Sequence, residues 1–146
     1  MGLINQIEGN RIYLDTNIFI YLFESFSPYI DILSPVIEKV ELGQFHSYTS
    51  ELTIAEALVK PIMEKNTQWQ SIYIQGIQSS PSLTVEPIHR TILIEAARLR
   101  SEIGLKLPDA IHYATAIHSN CTAFLTNDKQ MKSIKNLNVI QLDDFK

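Results

Sequence analysis

Apolar and polar positions along this chain switch between two periods, one suited to strands and one to helices. Residues 12–15 (IYLD) are apolar, short and partly β-branched or aromatic, which predicts the end of a buried strand. Asp15, Thr16 and Asn17 then offer N-cap chemistry, and the apolar run 18–23 predicts a helix to about Glu24. Residues 25–28 (SFSP) break the chain, and 30–42 predict a second helical stretch. Within it Ser34 and Pro35 read as an N-cap and N1 pair, and Gly43 as the stop. Residues 45–49 alternate, predicting a second strand, after which Thr49 or Ser50 caps a helix through Val59. Leu52, Ala55 and Val59 form its apolar face, and Pro61 kinks or ends it. Residues 67–78 predict a helix with Trp69 and Tyr73 one turn apart, and 79–82 a loop.

Residues 83–85 predict a short third strand closed by Pro87. Ile92, Ala96, Leu99 and Ile103 stand at helical spacing in the longest amphipathic segment, 89–103, which Gly104 ends. Pro108 opens a helix to about His118. Residues 122–126 predict a fourth strand, 129–133 a short helix and 139–142 a last strand. Strands alternating with helices predict an α/β fold: one domain over residues 1–146, a three-layer sandwich with a mainly parallel central sheet.

Acidic residues recur at equivalent places in this pattern. Asp15 ends the first strand, Glu56 lies in the helix after the second, Asp109 is at the second position of the helix before the fourth, and Asp128 follows the fourth. In a parallel sheet all four can reach the carboxyl edge, where ligands of open α/β sheets bind. Each also has a purely structural reading. Asp15 serves as an N-cap, Glu56 closes a capping box with Thr53, Asp109 is a favourable first-turn acid, and Asp128 is a turn residue. Their joint placement favours a shared site. Gathered carboxylates raise one another's pKa, a penalty that Mg²⁺ or Mn²⁺ removes, since both take oxygen ligands. Two such ions about 4 Å apart can hold a phosphodiester between an attacking water and a leaving oxygen.

Charge and composition adjust this picture. A net charge of −4 is unusual for a nucleic-acid binder, but setting aside the four site acids leaves 12 acidic against 12 basic residues. Lys129, Lys132 and Lys135 lie close in sequence to Asp128 and read either as phosphate contacts or as a solvated face. Asp143 and Asp144 read as a polar tail, and residues 2–10 as a weak leader. The hydrophobic fraction of 45% fits a globule with a real core, with no run long enough to span a membrane and no signal-peptide pattern. One cysteine, Cys121, excludes an intrachain disulfide, fits a reducing cytoplasm and reads as a buried thiol. The four histidines lack zinc-site spacing; His112 shares a helix face with Asp109 and can support the acids from behind, but core packing is its favoured reading. No Gly-rich phosphate loop or nucleophile elbow is present. Tyr21, Phe23, Phe26, Tyr29, Trp69 and Tyr73 read as core, some of them open to a partner.

The motifs LDTN at Asp15, TIAE at Glu56, LPDAIHYATA at Asp109 and FLTND at Asp128, taken in this order, resemble the PIN-domain family, most of all its small VapC-type toxin ribonucleases. The resemblance runs from Ile12 to Leu142. It implies that the four acids bind Mg²⁺ or Mn²⁺ and cleave RNA, and that Asn17 and Thr126 help to position them. It also implies a central first strand, a homodimer and an antitoxin protein as partner. Two other readings stand beside this endoribonuclease. One is a haloacid-dehalogenase-like phosphoryl-transfer enzyme with Asp15 as nucleophile, against which Asn17 replaces the second Asp that class requires. The other is a catalytically silent PIN module that binds RNA or protein.

Overall fold

The chain folds around β1 (Arg11–Leu14), the middle strand of five, as the computed structural model of residues 2–146 shows. The others are β2 (His46–Ser50), β3 (Leu83–Glu86), β4 (Ala123–Thr126) and β5 (Asn138–Gln141). They run in the order β3-β2-β1-β4-β5, and every pairing is parallel. Period-two alternation divides the core between the two faces. Ile12 and Leu14 of β1, with Ala123 and Leu125 of β4, face one apolar cluster; Tyr13 and Phe124 face the other and stack with centroids 4.9 Å apart.

Helices α1 (Thr16–Phe23), α2 (Tyr29–Glu41), α3 (Leu52–Met63) and α4 (Thr67–Gly76) cover the first face through Ile18, Phe19, Leu33, Val36, Ala57 and Tyr73. Helices α5 (Arg90–Ile103) and α6 (Leu107–His118) cover the second through Ile92, Ala96, Leu99, Ala110 and Ala114. This is the expected α/β sandwich. From β1 the chain moves outward through β2 and β3, then crosses to β4 on β1's other side. The direction of winding therefore changes between β1 and β4, and the carboxyl ends of such a switch point are where ligands of open α/β sheets bind.

Several local expectations fail, each for a physical reason. Helix α2 does not restart at Pro35 but runs through it, and the Ser34 hydroxyl donates back to the Ile30 carbonyl (2.8 Å). Helix α3 likewise continues past Pro61 to Met63. Its inward stripe is Thr53, Ala57 and Pro61, not Leu52, Ala55 and Val59; Val59 is 55% exposed. Thr53 can face inward because its hydroxyl pairs with that of Thr49 (2.7 Å). Of the two expected caps, Ser50 accepts from the Leu52 amide (3.0 Å), while Thr49 bonds to the Leu14 carbonyl instead. Ile103 is 45% exposed at the end of α5, where Gly104 takes the left-handed conformation (φ 79°) that closes the helix. The weak leader packs inward: Leu3, in a 3-10 turn (Leu3–Gln6), is buried against the first cluster.

Residues 129–133 form no helix. Asp128 Oδ1 accepts from the Gln130 amide (3.0 Å), and Gln141 Nε2 donates to the carbonyls of Asp128 (2.8 Å) and Met131 (3.0 Å), holding the segment as a turn.

Cys121 is buried, as expected, and desolvation pushes its thiol from the usual 9.0 up to about 12. Folding favours the neutral thiol, so this group's contribution to stability is full below pH 9.0 and is lost as pH rises towards about 12. A thiol reagent at pH 8 should modify the native chain about a thousandfold more slowly than the denatured chain. Equal rates would contradict this burial.

Candidate functional site

The β1–β4 switch point fixes the first acid. Asp15 follows β1, and its amide donates to the Leu125 carbonyl of β4 (3.1 Å). Its side chain caps α1, with Oδ1 accepting from the Thr16 amide (2.8 Å). The structural reading of Asp15 as a cap is therefore correct, and does not exhaust its contacts. The fully buried Thr126 at the end of β4 donates its hydroxyl to Asp15 Oδ2 (2.6 Å). The same Oγ1 accepts from Asn17 Nδ2 (3.3 Å) and from the Asp128 amide (3.0 Å). Asn17 also accepts from the Asn127 amide (3.2 Å). One hydroxyl thus joins the first acid, the fourth acid's backbone and the first turn of α1.

Glu56 arrives from α3. It makes no capping box; its Oε1 accepts from the Thr16 hydroxyl (2.7 Å) and from His112 Nε2 (2.6 Å). No hydrogen bond engages Oε2 among the described residues. Burial opposes ionisation of Glu56, but the His112 hydrogen bond and charge, with the Thr16 hydroxyl, outweigh it and hold the pKa below its usual value. His112 is 1% exposed, and its Nδ1 meets the Tyr13 hydroxyl at 2.7 Å. Burial disfavours the imidazolium, yet the Glu56 hydrogen bond and the charges of Asp15, Glu56 and Asp109 raise its pKa overall. As an imidazolium it donates Nδ1–H to Tyr13 and Nε2–H to Glu56. Its Nε2 also lies 3.7 Å from Asp15 Oδ1. Core packing is thus half of the truth about His112: it is buried, and its ring is hydrogen-bonded between Tyr13 and Glu56.

Asp109 stands in the first turn of α6, and its carboxylate accepts no hydrogen bond among the described residues. Desolvation, then the charges of Asp128, Asp15 and Glu56, raise its pKa. It adjoins a cavity of about 270 Å³ that Lys106, Tyr113 and Lys132 also line. The structure thus brings all six residues singled out in the sequence to one edge. The four acids stand wider than the inner shell of one ion, because the Asp, Glu, His and Cys group whose donor atoms all lie within 4.8 Å of one another is a different one, among the described residues.

A PIN-domain profile matches residues 12–137. The chain belongs to the PIN-domain family. Solved structures agree. A toxin–antitoxin complex from Klebsiella pneumoniae has 25% identity and a TM-score of 0.64, covering 90% of this chain and 97% of that one. VapBC2 from Rickettsia felis, bound to a DNA fragment from its promoter, has 19% identity and a TM-score of 0.68 over 90% and 98%. FitAcB from Neisseria gonorrhoeae has 19% and 0.67 over 90% and 97%. Comparison with curated proteins finds no match. This PIN fold displaces the haloacid-dehalogenase alternative; position 17 is an Asn whose amide is committed to Thr126 and to the Asn127 backbone.

The polar-tail reading of Asp143 is wrong. In a 3-10 turn (Leu142–Phe145) it accepts from Lys129 Nζ (2.8 Å), Tyr29 OH (2.5 Å), Lys146 Nζ (3.3 Å) and Asn127 Nδ2 (3.3 Å). These contacts, Lys129 foremost, hold its carboxyl far below the usual range. Lys129 is thereby committed to an ion pair. Lys135 lines a separate hollow with Cys121 and Thr122, leaving Lys132 alone of the three beside Asp109. Tyr21 and Tyr29 stack at 4.3 Å, and Tyr21 OH accepts from Asn127 Nδ2 (3.3 Å). Thr16, Asn127 and Asp143 are thus members of the site's network that spacing alone did not single out, and His112, placed by spacing on the face of Asp109, belongs to it as well.

Thr126→Val keeps the shape and removes the hydroxyl, stranding Asp15 Oδ2 and the Asp128 amide. Urea unfolding in chelator should show a loss of about 1–3 kcal/mol, largely restored by Thr126→Ser. An unchanged midpoint for the valine variant would contradict the hydroxyl's role.

Proposed function

We propose that this PIN domain is a Mg²⁺- or Mn²⁺-dependent endoribonuclease, the toxin of a toxin–antitoxin pair. The observation that carries the reading is Asp109: a half-buried carboxyl without a hydrogen-bond donor, its pKa raised by burial and by Asp128, Asp15 and Glu56. Such a group fits a hard divalent cation. The donor set of Asp15, Glu56, Asp109 and Asp128 is all oxygen, and its wide spacing suits an ion that keeps several of its waters. When bound, the ion supplies charge stabilisation for a phosphodiester and a competent nucleophile at neutral pH.

The chain's own residues prepare the pocket. Thr126 and the Thr16 amide fix the two oxygens of Asp15. Thr16 and His112 fix Oε1 of Glu56 and leave Oε2 open. Asn17 keeps Thr126 in register with α1. Lys106 and Lys132, beside Asp109, offer a cationic seat for phosphates of the RNA strand. The toxin assignment is supported by the likeness to the Klebsiella pneumoniae toxin–antitoxin complex. It carries with it an antitoxin partner, a homodimer and a cytoplasmic setting, and the lone buried thiol suits a reducing compartment. No helix among the described residues is long and apolar enough to cross a membrane.

Purified protein incubated with a mixed RNA pool should produce discrete new ends in Mn²⁺ and none in chelator, with 5′-phosphates at the cuts. Asp15→Asn should keep the fold and lower cleavage at least about a hundredfold. Full activity of that variant, or cleavage in chelator, would overturn the reading. The partner is tested by co-expression with the adjacent reading frame: a co-purifying product should suppress cleavage, and an always solitary chain argues against the toxin role.

A further inference from the structure

Away from the acid pocket, three ligating side chains from three elements converge. Glu86 is the last residue of β3, His89 is the N-cap of α5, and His118 ends α6. Their donor atoms all lie within 4.8 Å of one another. His89 Nε2 is 3.8 Å from Glu86 Oε2, and the His89 and His118 rings have centroids 5.5 Å apart. His118 lies nine residues along α6 from Asp109, about 13 Å by helical rise, so the two places are distinct.

The backbone holds the three in place. The Glu86 carbonyl accepts from the Glu51 amide (3.0 Å), and Glu86 pairs in register with Ser50. The His89 amide donates to the Pro87 carbonyl (3.0 Å). Helices α5 and α6 share the apolar cluster of Ile92, Ala96, Ala110 and Ala114. Neither the His89 nor the His118 ring makes a hydrogen bond among the described residues, so their ring nitrogens remain available as ligands. The Glu86 side chain is largely shielded at 19% exposure, whereas His89, at 49%, and His118 are both exposed, so the site is open to solvent.

We propose that Glu86, His89 and His118 form a second metal site, one that takes Zn²⁺ and leaves a coordination position to water. Two imidazoles and a carboxylate suit a borderline first-row ion and not Mg²⁺, which prefers oxygen throughout. Tetrahedral zinc with bonds near 2.0–2.1 Å places its donors about 3.3–3.4 Å apart. The Glu86–His89 separation of 3.8 Å is within a small side-chain rotation of that. The bound ion ties the β3–α5 junction to the far end of α6, so its effect is on stability and on how rigidly the second helical layer sits. The two sites select by donor chemistry: all-oxygen at the strand ends, nitrogen-rich here.

The test uses the full chain, stripped of metal and titrated with Zn²⁺ by calorimetry in excess Mg²⁺, added to compete at the all-oxygen acid cluster. One equivalent should bind at micromolar or tighter Kd and raise the unfolding temperature. His89→Gln and His118→Gln should each weaken binding at least tenfold, whereas Asp15→Asn leaves it intact. Co²⁺ should show the visible bands of a tetrahedral nitrogen–oxygen site, lost in His118→Gln. Zinc binding that survives in the His89→Gln/His118→Gln double variant would overturn the proposal. So would its loss in Asp15→Asn, or no binding at tens of micromolar Zn²⁺. RNA cleavage is not a readout here, so this site and the nuclease reading stand or fall separately.

Discussion

Like charges crowded at the carboxyl edge of the sheet repel, and the surrounding contacts are arranged to answer that repulsion. Asp15 is met by the Thr126 hydroxyl and the Thr16 amide. Glu56 is met by the Thr16 hydroxyl and by His112, whose own pKa the acids raise. Asp128 gives one oxygen to the Gln130 amide. Asp109 is left without a donor, and burial, then the charges of Asp128, Asp15 and Glu56, raise its pKa. The pocket is thus compensated for all but one of its acids, and the proposed cation would answer the last.

The topology makes this arrangement possible. Because β1 and β4 are neighbours although distant in sequence, Asp15 and Thr126 meet across one strand spacing. Helix α3 follows β2 and brings Glu56; helix α6 precedes β4 and brings Asp109 and His112 from the opposite layer. His112 is the link between layers, joining Tyr13 of the central strand to Glu56 of the first helical layer. The same helix carries His118 at its other end, so α6 contributes to both candidate metal sites.

Periodicity made the layers legible. Alternation of strand and helix patterns gave the parallel α/β class, and the strand-end positions of Asp15 and Asp128 placed both at one edge. What remained hidden depends on partners distant in sequence. His112 shares a face with Asp109, but that the face meets Glu56 and Tyr13 follows only from packing. Asp143 looks like tail chemistry until Tyr29, Asn127 and Lys129 close around it. Helix α3 turned by one position from its apparent apolar face because a threonine pair satisfied itself inside. His89 and His118 sit on different helices, and no local spacing could join them.

A crystal soaked in Mn²⁺ and recorded at the manganese edge tests whether the carboxylates of Asp15, Glu56, Asp109 and Asp128 serve one divalent cation site. An anomalous peak should stand beyond the carboxyl ends of β1 and β4, bounded by these four side chains, with waters completing the shell. A map with no peak there under saturating Mn²⁺, in crystals where these side chains are open to solvent, would rule out a shared cation.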